Sequence, residues 1–156
     1  MTTGNTTVCP FCFNNPCTCL HIDTGIPGIH NRPSWDEFFL NIAREVSRRS
    51  TCPRAQVGAV IVKDHHMVSS GYNGAPAGEP HCLEVGCLME NEHCQRAIHA
   101  ETNAVAMAAR FGIAINGATL YYWDSQGRPS ESCVKCSQIM KAAGIIRIVG
   151  VQDVLR

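Results

Sequence analysis

The chain lacks an excess of charge of either sign. Its 156 residues include 13 Lys and Arg and 13 Asp and Glu, so the formal net charge is zero and the pI is about 7.0. Proteins that follow a phosphate backbone usually have a clear basic excess, because contacts with phosphates supply most of their affinity. The balanced charge therefore argues against a nucleic-acid partner and favours a small-molecule ligand.

The chain is also poor in aromatic residues and in long apolar runs. Two Trp, three Tyr and five Phe residues are few for the rows of stacking side chains that bind single-stranded nucleic acid. No segment approaches the roughly 18 apolar residues of a membrane span. Residues 1–8 are polar and show neither the basic nor the apolar part of a secretory signal. We therefore expect a cytoplasmic protein with no membrane partner.

Two short motifs carry the most specific signal in the chain. His99 is followed two residues later by Glu101, and Cys133 and Cys136 form a Cys-x-x-Cys pair. One histidine and two thiolates give three ligands to a tetrahedral zinc ion and leave the fourth position open for water. Bound zinc lowers the pKa of that water from roughly 16 to about 7, and the neighbouring Glu101 can move protons. This is the arrangement of the zinc-dependent nucleobase deaminases.

Either motif alone has a simpler explanation. A His-x-Glu pair often occurs by chance, and an isolated Cys-x-x-Cys can be a redox pair. The two motifs together, each at the start of a predicted helix, favour a catalytic zinc site. A purely structural role for the three ligand residues is the alternative.

Ten cysteines in a cytoplasmic chain indicate metal ligands rather than disulfides. They fall into two groups of four and the Cys-x-x-Cys pair. The first group, together with His21 as a substitute ligand, predicts a small zinc knuckle, and the alternative is a disordered, oxidisable arm. The groups of four are Cys9, Cys12, Cys17 and Cys19 near the start, and Cys52, Cys82, Cys87 and Cys94 in the middle.

The remaining pattern predicts one α/β domain. Residues 1–32 are expected to form the cysteine-rich arm and a Gly- and Pro-rich linker, and residues 33–156 the domain. A helix begins after Ser34, which can form a capping box with Glu37, and its apolar stripe is expected to be buried. That stripe comprises Trp35, Phe38, Phe39, Ile42, Ala43 and Val46.

A β-hairpin, two helices and two further strands follow along the chain. The hairpin is expected over 57–70, the helices over 97–111 and 133–143, and the strands over 118–123 and 145–149. A long loop from 71 to 94 has almost no periodicity, so we expect it to be functional or tied by metal. The element order predicts a three-layer α/β/α sandwich with a central mixed sheet.

Five short motifs within residues 33–150 carry further information. They are Arg-Ser-Thr-Cys at 49–52, Gln-Val-Gly-Ala-Val at 56–60, Gly-Tyr-Asn-Gly-Ala-Pro at 71–76, Glu-Val-Gly-Cys at 84–87 and His-Ala-Glu-x-Asn-Ala at 99–104. Together they closely resemble deoxycytidylate deaminases, a family within the cytidine deaminase superfamily. The resemblance implies a cytidine deaminase-like fold and hydrolysis of dCMP to dUMP and ammonia, which supplies thymidylate synthesis. It also implies a homohexamer that is often activated by dCTP with Mg²⁺ and inhibited by dTTP.

The resemblance assigns roles to individual positions. His99, Cys133 and Cys136 match the zinc ligands and Glu101 the proton shuttle. The expected substrate contacts are Asn73 to the sugar 3′-hydroxyl, Arg54 and His93 to the 5′-phosphate, and Ala100. Cys52, Cys82, Cys87 and Cys94 match a second, structural zinc site, with His81 as the reserve ligand.

Simpler roles stay open for three of these residues. Asn73 can be an ordinary turn residue before Gly74, and Arg54 a solvated loop charge. His93 can be a bystander or a zinc ligand.

The chain departs from the family pattern at three places. Ser132 stands where the family usually has Pro, although Ser can still cap a helix. The loop from Asp124 to Ser132 is longer than usual, so the contacts to the base are expected to differ. The chain also ends at Arg156, earlier than many relatives, which bears on allosteric regulation.

Two alternative functions therefore stay open. One is a deaminase of dCTP or of a 5-modified dCMP, for example a phage enzyme acting in its host's cytoplasm. The other is a non-catalytic zinc-binding accessory protein of DNA uptake.

Overall fold

The computed structural model describes residues 32–91, 93–129 and 133–154. The chain divides into two units, Met1–Arg32 and Pro33–Arg156, and except for Arg32 the described residues belong to the second. Cys9, Cys12, Cys17 and Cys19 lie outside the described residues, so the predicted zinc knuckle stays a prediction.

A four-stranded mixed sheet forms the centre of the domain, in the order β2-β1-β5-β6. The strand β1 pairs antiparallel with β2 and β5, and β5 pairs parallel with β6. A separate two-stranded hairpin pairs β3 with β4. The strands are β1 (Val57–Lys63), β2 (His66–Tyr72), β3 (Met89–Glu90), β4 (His93–Cys94), β5 (Thr119–Asp124) and β6 (Arg147–Gly150).

Helices cover both faces of this sheet. Side chains of successive strand residues point to opposite faces, and β1 is buried on both. Val60 and Val62 pack with Phe39 of α1 on one face, whereas Ala59 and Ile61 pack with α3 and α4 on the other. The predicted three-layer sandwich is confirmed. The helices are α1 (Trp35–Ser47), α2 (Cys82–Val85), α3 (Ala100–Arg110), α4 (Val134–Ala142) and α5 (Val151–Val154).

Two glycines of the hairpin let helices approach the sheet closely. A Cβ atom at Gly71 on β2 would lie 2.5 Å from the carbonyl oxygen of Ala100 and would also crowd the backbone nitrogen of Ala104. A Cβ atom at Gly58 on β1 would lie 2.5 Å from the backbone nitrogen of Ser47 in α1. The first turns of α3 therefore rest directly on β2.

The start of α1 differs in part from expectation. The capping box is present, with the Ser34 amide donating to Glu37 Oε2 at 2.7 Å and the Glu37 amide to Ser34 Oγ at 3.2 Å. The prediction that the whole apolar stripe is buried was wrong, because Trp35 and Phe38 are each 43% exposed. The other four residues of the stripe pack into the core on this face of the sheet. Trp35 stacks on His65 of the β1–β2 turn at 4.5 Å between ring centroids.

Contacts between side chains also join α1 to the edge of the sheet. Arg147 on β6 donates two hydrogen bonds to the Asp36 carboxylate, at 2.6 and 3.0 Å, and the Tyr121 hydroxyl donates a third at 2.8 Å. The hydrogen bonds from Arg147 hold the pKa of Asp36 below its ordinary value. None of the described helices combines the length and apolar character that a membrane crossing requires.

The long connection from β2 to α3 contains more regular structure than expected. The short helix α2 and the β3–β4 hairpin occupy its middle, and the loop returns to the sheet through a bridge between Gly74 and Ile98. Because these elements have two to four residues, they are too short to produce a periodic pattern in the sequence.

Candidate active site

The residues expected to bind the catalytic zinc lie at the starts of two neighbouring helices. His99 is the N-cap residue of α3, and Cys133 is the N-cap residue of α4. Both helices pack on the same face of the sheet. Cys136 Sγ lies 3.2 Å from His99 Nδ1, and the candidate ligand atoms of all three residues lie within 4.8 Å of one another.

The chemistry of this donor set fits a zinc ion. One imidazole nitrogen and two sulfur atoms are typical of a zinc site with an open fourth position. Burial, reinforced by the nearby Glu101 carboxylate, raises the pKa of the Cys136 thiol to about 12. A thiolate at that place therefore needs a compensating cation, which the metal would provide.

Glu101 lies in the first turn of α3, beside the cluster formed by His99, Cys133 and Cys136. Its side chain is buried, with only 3% of the residue exposed, and it lines the same cleft as His99 and Cys133. Burial raises the pKa of Glu101 to about 7, and the charge of Asp124 adds to this effect. A carboxyl group with such a pKa can both accept and donate a proton near neutral pH.

A cleft of about 280 Å³ brings the candidate catalytic residues together with the expected substrate-binding residues. It is open on one side, and Glu101 is buried within it. The expected substrate contacts Arg54, Asn73, His93 and Ala100 all line this cleft.

Asn73 also has a structural role. Its Oδ1 accepts a hydrogen bond from the Val57 amide at 2.9 Å, and its Nδ2 donates to the Ala55 carbonyl at 2.9 Å. The carboxamide thus fixes the segment that leads into β1. Because an amide group carries two N–H donors, the second one can still serve a ligand in the cleft.

A second cysteine cluster lies next to the cleft. The sulfur atoms of Cys82, Cys87 and Cys94 lie within 4.8 Å of one another, with 3.7 Å between Cys82 and Cys94. Cys52, the fourth expected ligand, is outside that distance and lines the cleft, although its charge is close enough to raise the pKa of Cys87. The structure therefore brings together three of the four expected ligands.

Two further features of this cluster favour a metal site. Burial raises the pKa of Cys94, but hydrogen bonds from the backbone of Arg96 and Ala97 outweigh it and give a value of about 7. Cys94 is therefore easily ionised. His81, the reserve ligand, has a buried Nδ1 atom with no hydrogen-bond partner among the described residues.

The sequence analysis missed several residues of the cleft. Tyr122, Gln126 and Arg128 line it, and Asp124 is buried behind them. All four belong to the end of β5 and the loop that follows. The unusual length of that loop was the only signal in the sequence that pointed to them.

Comparison with known proteins agrees with this geometry. The sequence model of the cytidine and deoxycytidylate deaminase zinc-binding region matches residues 33–152. Deoxycytidylate deaminase of Mycobacterium phage D29 is 40% identical over 130 residues, covering 76% of this chain and 95% of the phage protein. ComE operon protein 2 of Bacillus subtilis is also 40% identical, over 122 residues and 78% of this chain. The chain spans 61% of that protein's length.

A solved structure is similar over the same part of the chain. The dCMP deaminase of cyanophage S-TIM5, in complex with dCMP and dUMP, superposes with a TM-score of 0.63 at 28% sequence identity. The match covers 78% of this chain and 83% of the cyanophage chain. Residues 33–152 carry the sequence pattern, the mixed sheet and the clustered donors of this group, and the chain therefore belongs to the cytidine and deoxycytidylate deaminase family.

Proposed function

We propose that this chain is a zinc-dependent deaminase that hydrolyses dCMP to dUMP and ammonia. The observation that carries the proposal is the position of Glu101, buried in a cleft beside one histidine and two cysteines. The similarity to two phage enzymes named dCMP or deoxycytidylate deaminase supports this substrate.

His99, Cys133 and Cys136 would hold the catalytic zinc. Zinc held there would supply a Lewis acid that lets a water molecule lose a proton at neutral pH and so become a nucleophile. His99 would bind through Nδ1, because that atom faces the Cys136 sulfur. The Cys136 amide lies 3.4 Å from Cys133 Sγ and donates a hydrogen bond to it, which stabilises the negative charge of the thiolate.

Glu101 would move the protons of the reaction. Its carboxylate accepts a proton from the attacking water and delivers it to N3 of the base. The oxygen of that water forms the new bond to C4. Glu101 then takes the second proton from the new C4 hydroxyl and passes it to the amine, which leaves as ammonia while the C4–N bond breaks and the C4=O bond forms. A side chain with a pKa of about 7 suits both transfers.

Residues along the cleft would hold the nucleotide. We propose that Asn73 forms a hydrogen bond with the sugar 3′-hydroxyl. Its second amide hydrogen can be donated to that hydroxyl, or its Oδ1 can accept a hydrogen bond from it. Arg54 and His93 would contact the 5′-phosphate, and Ala100 would contact the base beside Glu101. The support is their shared position around one cleft together with the family resemblance.

We further propose a second, structural zinc at Cys82, Cys87 and Cys94. Cys52 or His81 would supply the fourth ligand after a small shift of its side chain. The family resemblance extends the proposal to a cytoplasmic homohexamer that responds to dCTP with Mg²⁺ and to dTTP.

The experiment that tests the proposed function is an ammonia-release assay on zinc-loaded protein. We expect turnover of dCMP and little turnover of dCTP, cytidine or 5-methyl-dCMP. Glu101→Gln should reduce kcat by a factor on the order of 10² to 10⁴, because a general acid–base contributes that much. Its zinc content should equal that of the wild type.

Two results would contradict the proposal. One is fully metallated wild-type protein that leaves dCMP unchanged. The other is a Glu101→Gln variant that keeps wild-type turnover.

A further inference from the structure

Asp124 organises the loop that follows β5. Its buried carboxylate accepts three hydrogen bonds, from the Gln126 amide at 2.7 Å, from Arg128 Nε at 2.8 Å and from the Tyr122 hydroxyl at 3.1 Å. A buried carboxylate with three donors is a stable anchor. These hydrogen bonds therefore hold Tyr122, Gln126 and Arg128 around one carboxylate at the side of the cleft.

Three further contacts attach this loop, residues 124–128, to the rest of the domain. Ser125 exchanges two hydrogen bonds with the backbone of Gln56, at 2.9 and 3.0 Å. The Gln126 side chain donates to the Arg54 carbonyl at 2.7 Å, and Gln152 of α5 donates to the Gly127 carbonyl at 2.8 Å. Arg128 thus stands on a loop that is held on both sides.

The Arg128 guanidinium faces the cleft with most of its donors unused. Among the described residues only its Nε atom has a partner, the Asp124 carboxylate. The side chain is 49% exposed, and the residue lines the cleft together with Arg54 and His93. Its charge also acts on His99 and Glu101, which line the same cleft.

We propose that Arg128 is a specificity-determining residue that binds the 5′-phosphate of the nucleotide, with Asp124 as its positioning residue. The inference rests on the proposed function and adds a residue from the lengthened loop to it. The two Nη groups of a guanidinium held through Nε form a planar fork that suits phosphate oxygens.

The difference in burial along the cleft indicates that Arg128 contacts the phosphate of the nucleotide rather than its base. C4 of the base must reach Glu101, which is almost fully buried, whereas Arg128 is half exposed. Phosphate is the most strongly hydrated part of a nucleotide, so it lies most favourably at the open side. The hydrogen bond from Arg128 Nε to the Asp124 carboxylate keeps the guanidinium oriented for an incoming anion.

The test compares binding of the product dUMP with turnover of dCMP. Arg128→Ala should weaken dUMP binding on the order of 10- to 100-fold, as expected for one lost charge-assisted contact. The loss for dCMP should appear in KM more than in kcat, and the ratio of kcat/KM for dCMP to that for deoxycytidine should fall. Arg128→Lys should restore part of the affinity.

Two further variants test whether weaker dUMP binding is specific to the Arg128 contact or follows from the loss of any arginine. Arg48→Ala removes an exposed arginine at the C-terminal end of α1, whose ion pair in the described part of the chain is with Glu45. It is the matched control and should bind dUMP as the wild type does. Asp124→Asn should weaken dUMP binding, and combining it with Arg128→Ala should add little, because both act on one contact.

The outcomes are distinguishable. Unchanged dUMP affinity in Arg128→Ala, or an equal loss for dCMP and deoxycytidine, overturns the inference. Failure of the zinc-loaded wild type to deaminate dCMP instead overturns the proposed function, and dUMP binding still decides the role of Arg128.

Discussion

The close approach of α3 to β2 gives a direct test of how packing positions the active site. In Gly71→Ala the added methyl group would lie 2.5 Å from the Ala100 carbonyl oxygen and would crowd the Ala104 amide. Both neighbours are backbone atoms, so no side-chain rotation relieves the contact, and α3 must shift away from the sheet. Overpacking of this kind costs about 1–3 kcal/mol of unfolding free energy.

The same shift would move two candidate catalytic residues. His99 and Glu101 flank Ala100 at the start of α3, and a displacement of about 1 Å can reduce catalysis by roughly 10²-fold. We therefore expect Gly71→Ala to lower kcat/KM for dCMP well beyond the loss of folded protein. Chemical denaturation measures the stability, and ammonia release at a temperature where the variant stays folded measures the activity.

Two other glycines are matched controls for this prediction. Gly58→Ala crowds α1 on the opposite face, 2.5 Å from the Ser47 amide, so it should destabilise the fold to a similar degree and leave the folded enzyme active. At Gly150 the nearest atom to an added Cβ is 3.7 Å away, and Gly150→Ala should be near neutral. Wild-type activity in Gly71→Ala, or an equal activity loss in Gly58→Ala, would refute the reasoning.

Three further predictions concern the metal sites and the α1–β6 contact. Cys136→Ala should lower the zinc content, measured by elemental analysis, by one ion per chain and should abolish turnover in the ammonia-release assay. Ser137→Ala is the control and should change neither quantity. Cys82→Ala should lower both the zinc content and the unfolding temperature, and an unchanged zinc content would contradict the second site. Asp36→Asn should reduce the unfolding free energy by about 1 kcal/mol or less at neutral pH, because the ion pair is partly exposed. That difference should disappear as the pH falls below 3.8, the ordinary pKa of an aspartate, and through the lower pKa of Asp36 in the folded state, because the stabilisation is lost when the carboxylate protonates.

The sequence by itself determined the features that depend on neighbouring residues. The Ser34–Glu37 capping box, the continuous apolar run of β1 and the helix start near Cys133 each follow from a pattern within a few positions. These local patterns also determine the order of the helices and strands, and hence the three layers. His99 and Glu101 were recognisable because both stand at the start of one helix.

Only the tertiary structure decided which distant residues meet. Arg128 follows Arg54 by more than seventy positions, and the contacts that place both at one cleft run through Asp124 and Gln126. Likewise Cys52 lies apart from the three cysteines it was grouped with, and the exposure of Trp35 depends on where the sheet ends beneath α1. Periodicity reports which side of an element is apolar, whereas contacts between elements depend on loop paths and helix shifts that no local pattern encodes.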